Sequence, residues 1–347
     1  MMHTKNDILA SRYWYALAAL SVLSYLIAAC WLTDNTPKFD DLNDVFGFFK
    51  QLAFAQTPLQ KIGAFFYPNN EHVTAFSHLL YFLQYQLLGE IRFYGLTLIG
   101  HLIIVATGCV LGCTINNARR PFYFALFTIG YLNLYYWDSS FKAMTAISNQ
   151  AVILFSLAAL FALVRCKNFA LGIFFALLAT FSQGNGVLIW LVGAIILLLN
   201  AETQTRRFVT LALWLSCAVS AYVLYAWARH TYGSPSPISL AYLQAHWQNT
   251  WLWQMLGAVL AFLGSTVFSA VHLGIAIALG GVALLVALFW LLRFRQRDWL
   301  ISGVLLFILA AMFLKAVATG ITLGGGGNGG NFAPALFTGA YLGFAFS

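Results

Sequence analysis

The chain has 347 residues, 61% hydrophobic and 8% charged, with a mean hydropathy of +0.80. Soluble domains carry about 25% charged residues, so a water-soluble fold is excluded: too little polar surface remains to cover so apolar an interior. The formal net charge of +8 does not mark a nucleic-acid binder. Lys and Arg fall in short clusters between apolar runs, at Arg119 and Arg120, Arg165 and Lys167, Arg206 and Arg207, and Arg293, Arg295 and Arg297, as cytoplasmic loops do under the positive-inside rule. Runs such as LVGAIILLL (191–199) do not alternate, which excludes a β-barrel. The class that remains is an all-α, polytopic integral membrane protein whose first partner is the lipid bilayer. The five cysteines lie in or at the ends of apolar runs and read as small buried hydrophobes, with no disulfide framework.

In chain order, the first apolar run, 13–32, is too long for a cleavable signal and lacks a small-residue cleavage site after it. With Lys5 and Arg12 in the cytoplasm it delivers the chain to the outer face. The loop at 33–91 holds six of the ten acidic residues (Asp34, Asp40, Asp41, Asp44, Glu71 and Glu90) against Lys38, Lys50 and Lys61. Within it, 73–89 is apolar but carries Thr74, Ser77, His78, Tyr81 and Tyr85 at helical spacing. It is expected to lie flat in the outer interface. Were it to cross, every later basic cluster would invert. The remaining spans are expected at 92–113, 121–137, 148–164, 169–181, 187–199, 208–228, 272–292 and 299–320, about nine in all, with a glycine-rich break at 182–186 on the outer side. This topology leaves 11 of 18 basic residues inside and seven of ten acidic residues outside. The outer face then presents the long loop, 138–147 and 229–250.

Chemistry is expected on that outer face, because ionisable residues are nearly absent from the spans. In FDDLNDVF (39–46), the adjacent Asp40 and Asp41, with Asp44 a helical turn on, raise one another's pKa and suit a general base or a divalent-cation ligand. The same pattern also suits a helix start whose acids complement the dipole. YPNNEH (67–72) sets Glu71 and His72 at the entrance to the interfacial helix, where Asn70 is equally a helix cap. Asp138 is the further outer acid.

These residues resemble a family. A first membrane helix, a long outer loop with an Asp-Asp pair, and P-x-x-E-H (68–72) entering an amphipathic helix are similar to the GT-C class of membrane glycosyltransferases, and TFSQGNGVLIWLVG (180–193) resembles a segment of bacterial relatives. The likeness covers about residues 1–310. It implies a polyprenyl-phosphate-linked sugar as donor, Asp40 or Asp41 as base or metal ligand, and Asp138 as the second acid. Glu71 and His72 would line the donor phosphate. Where relatives carry a basic residue after Glu-His this chain has Val73, so Lys142, Arg229 or His230 would supply the charge; each also suits an interfacial snorkelling role. The implied location is the bacterial inner membrane with the N-terminus in the cytoplasm.

The tail resembles a different family. Residues 313–347 carry LGGGGNGGN (323–331) followed by GNFAP (330–334), similar to the selectivity-filter segment of CLC chloride channels and transporters. That likeness implies chloride held at Gly330, Asn331, Phe332, Ala333 and Pro334 by amides at a helix start. The serine loop, the glutamate gate and the late tyrosine of that family have no counterpart here. Three readings follow: a transferase incomplete at its C-terminus, a CLC-type anion protein, and a nonfunctional chimera joined near residues 311–314.

Overall fold

A computed structural model describes residues 5–69, 72–114, 120–132, 134, 137–200 and 204–232, with single helical positions at 282, 285, 289, 300, 301, 303, 304, 306 and 307. The chain falls into two compact units, Met1–Ser234 and Pro235–Ser347. In the second unit only those single positions are described; the anion motif at Gly330, Asn331, Phe332, Ala333 and Pro334 and the junction at 311–314 lie outside the described residues.

Among its described residues the first unit is helical apart from one two-stranded hairpin and connecting turns. Its elements are α1 (Lys5–Leu32), α2 (Asp40–Phe54), α3 (Pro58–Phe65), β1 (Pro68–Asn69), β2 (His72–Val73), α4 (Ala75–Leu88), α5 (Phe93–Thr114), α6 (Arg120–Tyr131), α7 (Trp137–Ser140), α8 (Ala143–Val164), α9 (Phe169–Thr180), a 3₁₀ turn (Gly184–Val187), α10 (Leu188–Asn200) and α11 (Gln204–Tyr232). Among the described residues four helices are long and apolar enough to cross a membrane: Ser11–Leu32, Phe93–Thr114, Ala143–Val164 and Phe208–Tyr232. Two shorter apolar stretches, Phe169–Thr180 and Gly184–Leu198, flank the glycine-rich break. The protein is therefore an all-α integral membrane protein.

The packing orders these helices. α5 and α8 form the centre and pack on each other; α6 rests on α1 and α5, α9 on α8, and α11 on α10. α1 and α11 instead turn outward Leu20, Leu23, Ile27, Val219 and Val223, all exposed. In a bilayer such side chains are solvated by lipid tails, so the close contacts between spans fall to small residues. At Gly100 of α5 a Cβ would fall against the methyl and backbone of Ala146 of α8. On the other side, Trp214 of α11 donates its Nε1–H to the Trp190 carbonyl (2.7 Å), and Trp190 donates to Thr180 Oγ1 (2.9 Å), joining α11, α10 and α9.

Between α1 and α5 the acidic loop folds into α2, α3, the hairpin and α4. Thr57 and Gln60 form a reciprocal capping box ahead of Pro58, which fixes the start of α3. The helix α4 has 14 residues, a length of about 21 Å against a hydrocarbon core of roughly 30 Å, and it does not rank among the spans. Its polarity differs from the surface-lying helix expected from the sequence. Ser77, His78 and Tyr81 are fully buried against the loop, while Leu79, Leu83, Leu87 and Leu88 face out. Of the expected stripe Thr74, Ser77, His78 and Tyr81 face protein, where the loop supplies Asp44 for three of them, while Tyr85 stays exposed. Likewise α6 ends at Tyr131, six residues before the expected limit of 137.

Gly100→Val should cost about 1–3 kcal/mol through overpacking, measured as a lower midpoint of unfolding in detergent. Gly130→Ala, where nothing lies within 4 Å of the added carbon, should leave the midpoint unchanged.

Candidate functional site

One carboxylate ties the acidic loop to the entry of α8. Asp41, in the first turn of α2, accepts from the backbone N–H groups of Ala143 (3.2 Å) and Lys38 (3.0 Å) on Oδ2, and from that of Met144 (2.7 Å) on Oδ1. Ala143 and Met144 open α8, whose own N-cap residue, Lys142, makes no capping hydrogen bond. Asp41 thus caps α8 from outside that helix and satisfies donors that the helix itself leaves bare. Burial pushes the Asp41 carboxyl above the usual carboxylate range, and the three amides pull it back. A second contact ties the same segments: the Lys142 ammonium lies 4.6 Å above the Phe39 ring. Phe39 enters α2 at φ 46°, a region unusual for a bulky side chain.

Asp44 lies one turn further along α2 and is also fully buried. Its Oδ1 accepts from Thr74 Oγ1 (3.1 Å) and its Oδ2 from the Tyr81 hydroxyl (2.8 Å). His78 Nε2 stands 3.3 Å from Asp44 Oδ1, and its Nδ1 is 2.8 Å from the Phe65 carbonyl. A carbonyl can only accept, so Nδ1 carries a proton; Nε2 also stands 3.3 Å from the Thr74 hydroxyl. Burial first, and Asp44 second, push the Tyr81 hydroxyl well above its ordinary value, which keeps it a donor. The imidazole also stacks on Phe48, with centroids 4.7 Å apart. This cluster is closed from every side and holds α2 to α4.

The remaining candidate residues distribute around this dock. Asp40 is half-buried at the first turn of α2. Asp138 belongs to α7, the short helix immediately before α8. Glu71 lies outside the described residues. His72, paired with Asn69 across the hairpin, approaches the glycine-rich break: a Cβ on Gly184 would sit 3.0 Å from His72 Nδ1 and 2.9 Å from the Tyr225 hydroxyl. Only glycine lets the break come this near. The Tyr225 hydroxyl also accepts from Val73 N–H (3.3 Å), and Val73, Tyr225 and Ala228 form a small apolar cluster backed by Phe66 and Phe181. Arg229 follows Ala228 on α11, and His230 next to it is exposed. The structure therefore brings His72 and Tyr225 to one junction, with Arg229 one helical turn beyond Tyr225 on α11, and places Asp41 and Lys142 at another, on the entry to α8.

Both junctions lie at the same end of the membrane helices. The Phe76 N–H donates to the Phe181 carbonyl (3.0 Å), which links the start of α4 to the end of α9, while Asp41 links α2 to the start of α8. Among the described residues no three His, Cys, Asp or Glu side chains gather as a metal site.

Three residues of this end were not singled out by the sequence reading: Asn69, Gln183 and Asn185. The signal for Gln183 and Asn185 was the polar Gln-Gly-Asn interruption (183–185) between two short apolar stretches. Compared with known proteins, the chain matches no family model, no curated protein and no solved structure.

Asp44→Ala strands Thr74, His78 and Tyr81 without their shared acceptor and should cost about 3–5 kcal/mol. Tyr81→Phe removes one hydrogen bond and should cost about 1.5 kcal/mol. Denaturant unfolding in detergent ranks the two; equal losses would contradict the shared-acceptor geometry.

Proposed function

We propose that the protein is a membrane glycosyltransferase of the GT-C kind, taking a sugar from a polyprenyl phosphate donor at the outer face of a bacterial inner membrane. In this reading the N-terminus is cytoplasmic, about nine spans carry the fold, and the acidic loop is extracytoplasmic. The observation that carries the reading is the folded loop itself. A 33–91 segment rich in carboxylates is docked onto the amino end of a central span, beside a junction where His72 and Tyr225 meet the glycine-rich break, one helical turn before Arg229.

The roles follow from accessibility. Asp41 is occupied by three backbone amides and acts as an anchor. Asp40, its half-buried neighbour, is the general base: its carboxylate takes the proton of an acceptor hydroxyl as that oxygen attacks C1 of the sugar. The C1–O bond to phosphate breaks, and the departing polyprenyl phosphate keeps the electron pair and gains a negative charge. Arg229, His72, His230 and Lys142 are the groups that balance it, with Glu71 beside them in sequence and Asp138 as the second acid. A divalent cation held by Asp40 would supply the same stabilisation in the form of a metal centre.

In cells expressing the protein, transfer of a labelled hexose from a polyprenyl phosphate donor should fall by about a hundredfold or more in Asp40→Asn, with its unfolding midpoint unchanged. Asp41→Ala should lower both transfer and the midpoint. Full transfer in Asp40→Asn would remove the assigned base.

A further inference from the structure

The junction of the hairpin, the glycine-rich break and the last turns of α11 gathers buried polar atoms that the described residues leave without hydrogen-bond partners: Asn69 Nδ2, Gln183 Oε1, Asn185 Nδ2 and Arg229 Nε. Their convergence follows from printed neighbours. Asn69 pairs with His72 across the hairpin, His72 and Tyr225 both close on Gly184, next to Asn185, and Arg229 lies one helical turn beyond Tyr225 on α11. Asn69 and Gln183 are each 6% exposed. Gln183 is anchored from its other side, donating Nε2–H to Asn149 Oδ1, which fixes Oε1 as an acceptor.

A buried donor or acceptor with no partner is a standing cost, and four of them at one place are not needed to hold the fold. They are the complement of a ligand. Three are donors, one of them from a guanidinium, and these fit the oxygens of a phosphate. The fourth is an acceptor, which fits a hydroxyl hydrogen adjoining that phosphate. We infer that Asn69, Asn185 and Arg229 hold the phosphate of a glycosyl-phosphate head group and that Gln183 receives a hydroxyl of its sugar. The inference rests on the transferase reading for the identity of the lipid, and deepens it by naming the residues that grip the head group. The position, between apolar helices at one membrane face, admits a lipid-borne phosphate; a free anion offers the same oxygens.

The test uses the full chain in detergent with four probes: a polyprenyl phosphate bearing one hexose, the bare polyprenyl phosphate, the neutral polyprenol and inorganic phosphate. Affinity is read by native mass spectrometry and folding by the unfolding midpoint. Both phospholipids should bind and polyprenol should not. Arg229→Gln and Asn185→Asp should each weaken phospholipid binding at least about tenfold. Gln183→Leu should erase the advantage of the hexose-bearing lipid over the bare one. Asn69→Ala should lose affinity while keeping or raising the midpoint, because its Nδ2 has no partner to lose, whereas a structural residue would lower it. Thr128→Val, at a buried hydroxyl away from the junction, should bind as the parent does. Inorganic phosphate binding at these residues with no lipid binding would keep the anion site and assign it to a free anion. Unaltered phospholipid affinity in Arg229→Gln and Asn185→Asp, or equal binding of polyprenol, overturns the site. Transfer that persists with an unchanged KM in those variants sinks the site but leaves the transferase standing; specific phospholipid binding with no transfer does the reverse.

Discussion

The bond between Asp41 and the first amides of α8 is the constraint on which one end of this protein depends. A helix that begins in a low-dielectric region leaves its first N–H groups unsatisfied unless something supplies acceptors. Lys142, at the N-cap position, offers none. Asp41 arrives from a segment 102 residues earlier in the chain and meets the need with both carboxylate oxygens, in the polarity the helix dipole favours, a term that reaches about 2 kcal/mol in partly buried sites. Because α8 is the most enclosed of the spans, fixing α2 to its end fixes the loop to the rigid centre of the molecule.

From that anchor the rest is built in sequence. One helical turn separates Asp41 from Asp44, so docking the first carboxylate turns the second toward α4. Asp44 then collects Thr74, His78 and Tyr81, and α4 presents its leucines outward. The start of α4 closes on Phe181, the hairpin ahead of it meets Tyr225, and the break is drawn against His72. The loop is thus a second layer of protein over one end of the membrane helices. Asp40 is left at its edge, and a polar junction faces the break.

Much of this was legible in the sequence, though unevenly. The spans at α1, α5 and α8 announce themselves as long apolar runs bounded by charges, and α4, expected not to cross, is not among the helices long and apolar enough to do so. The acids were visible as a group, and a helix-start role was one of their open readings. What local pattern could not reveal was that Asp41 caps a helix it does not belong to, since a cap in trans leaves no spacing signature. The stripe of Thr74, Ser77, His78, Tyr81 and Tyr85 was visible as a stripe, but periodicity does not say which medium a polar face meets; the first four are buried and only Tyr85 is exposed. Asn69, Gln183 and Asn185 come from two separate segments and acquire meaning only when Gly184 lets those segments touch.

The most direct measurement is amide hydrogen exchange over residues 142–148 in the parent protein and in Asp41→Ala. If Asp41 secures the amino end of α8, the Ala143 and Met144 amides exchange slowly in the parent and quickly in the variant, and protection is lost in parallel across α2. Equal protection of Ala143 and Met144 in both proteins would contradict the account.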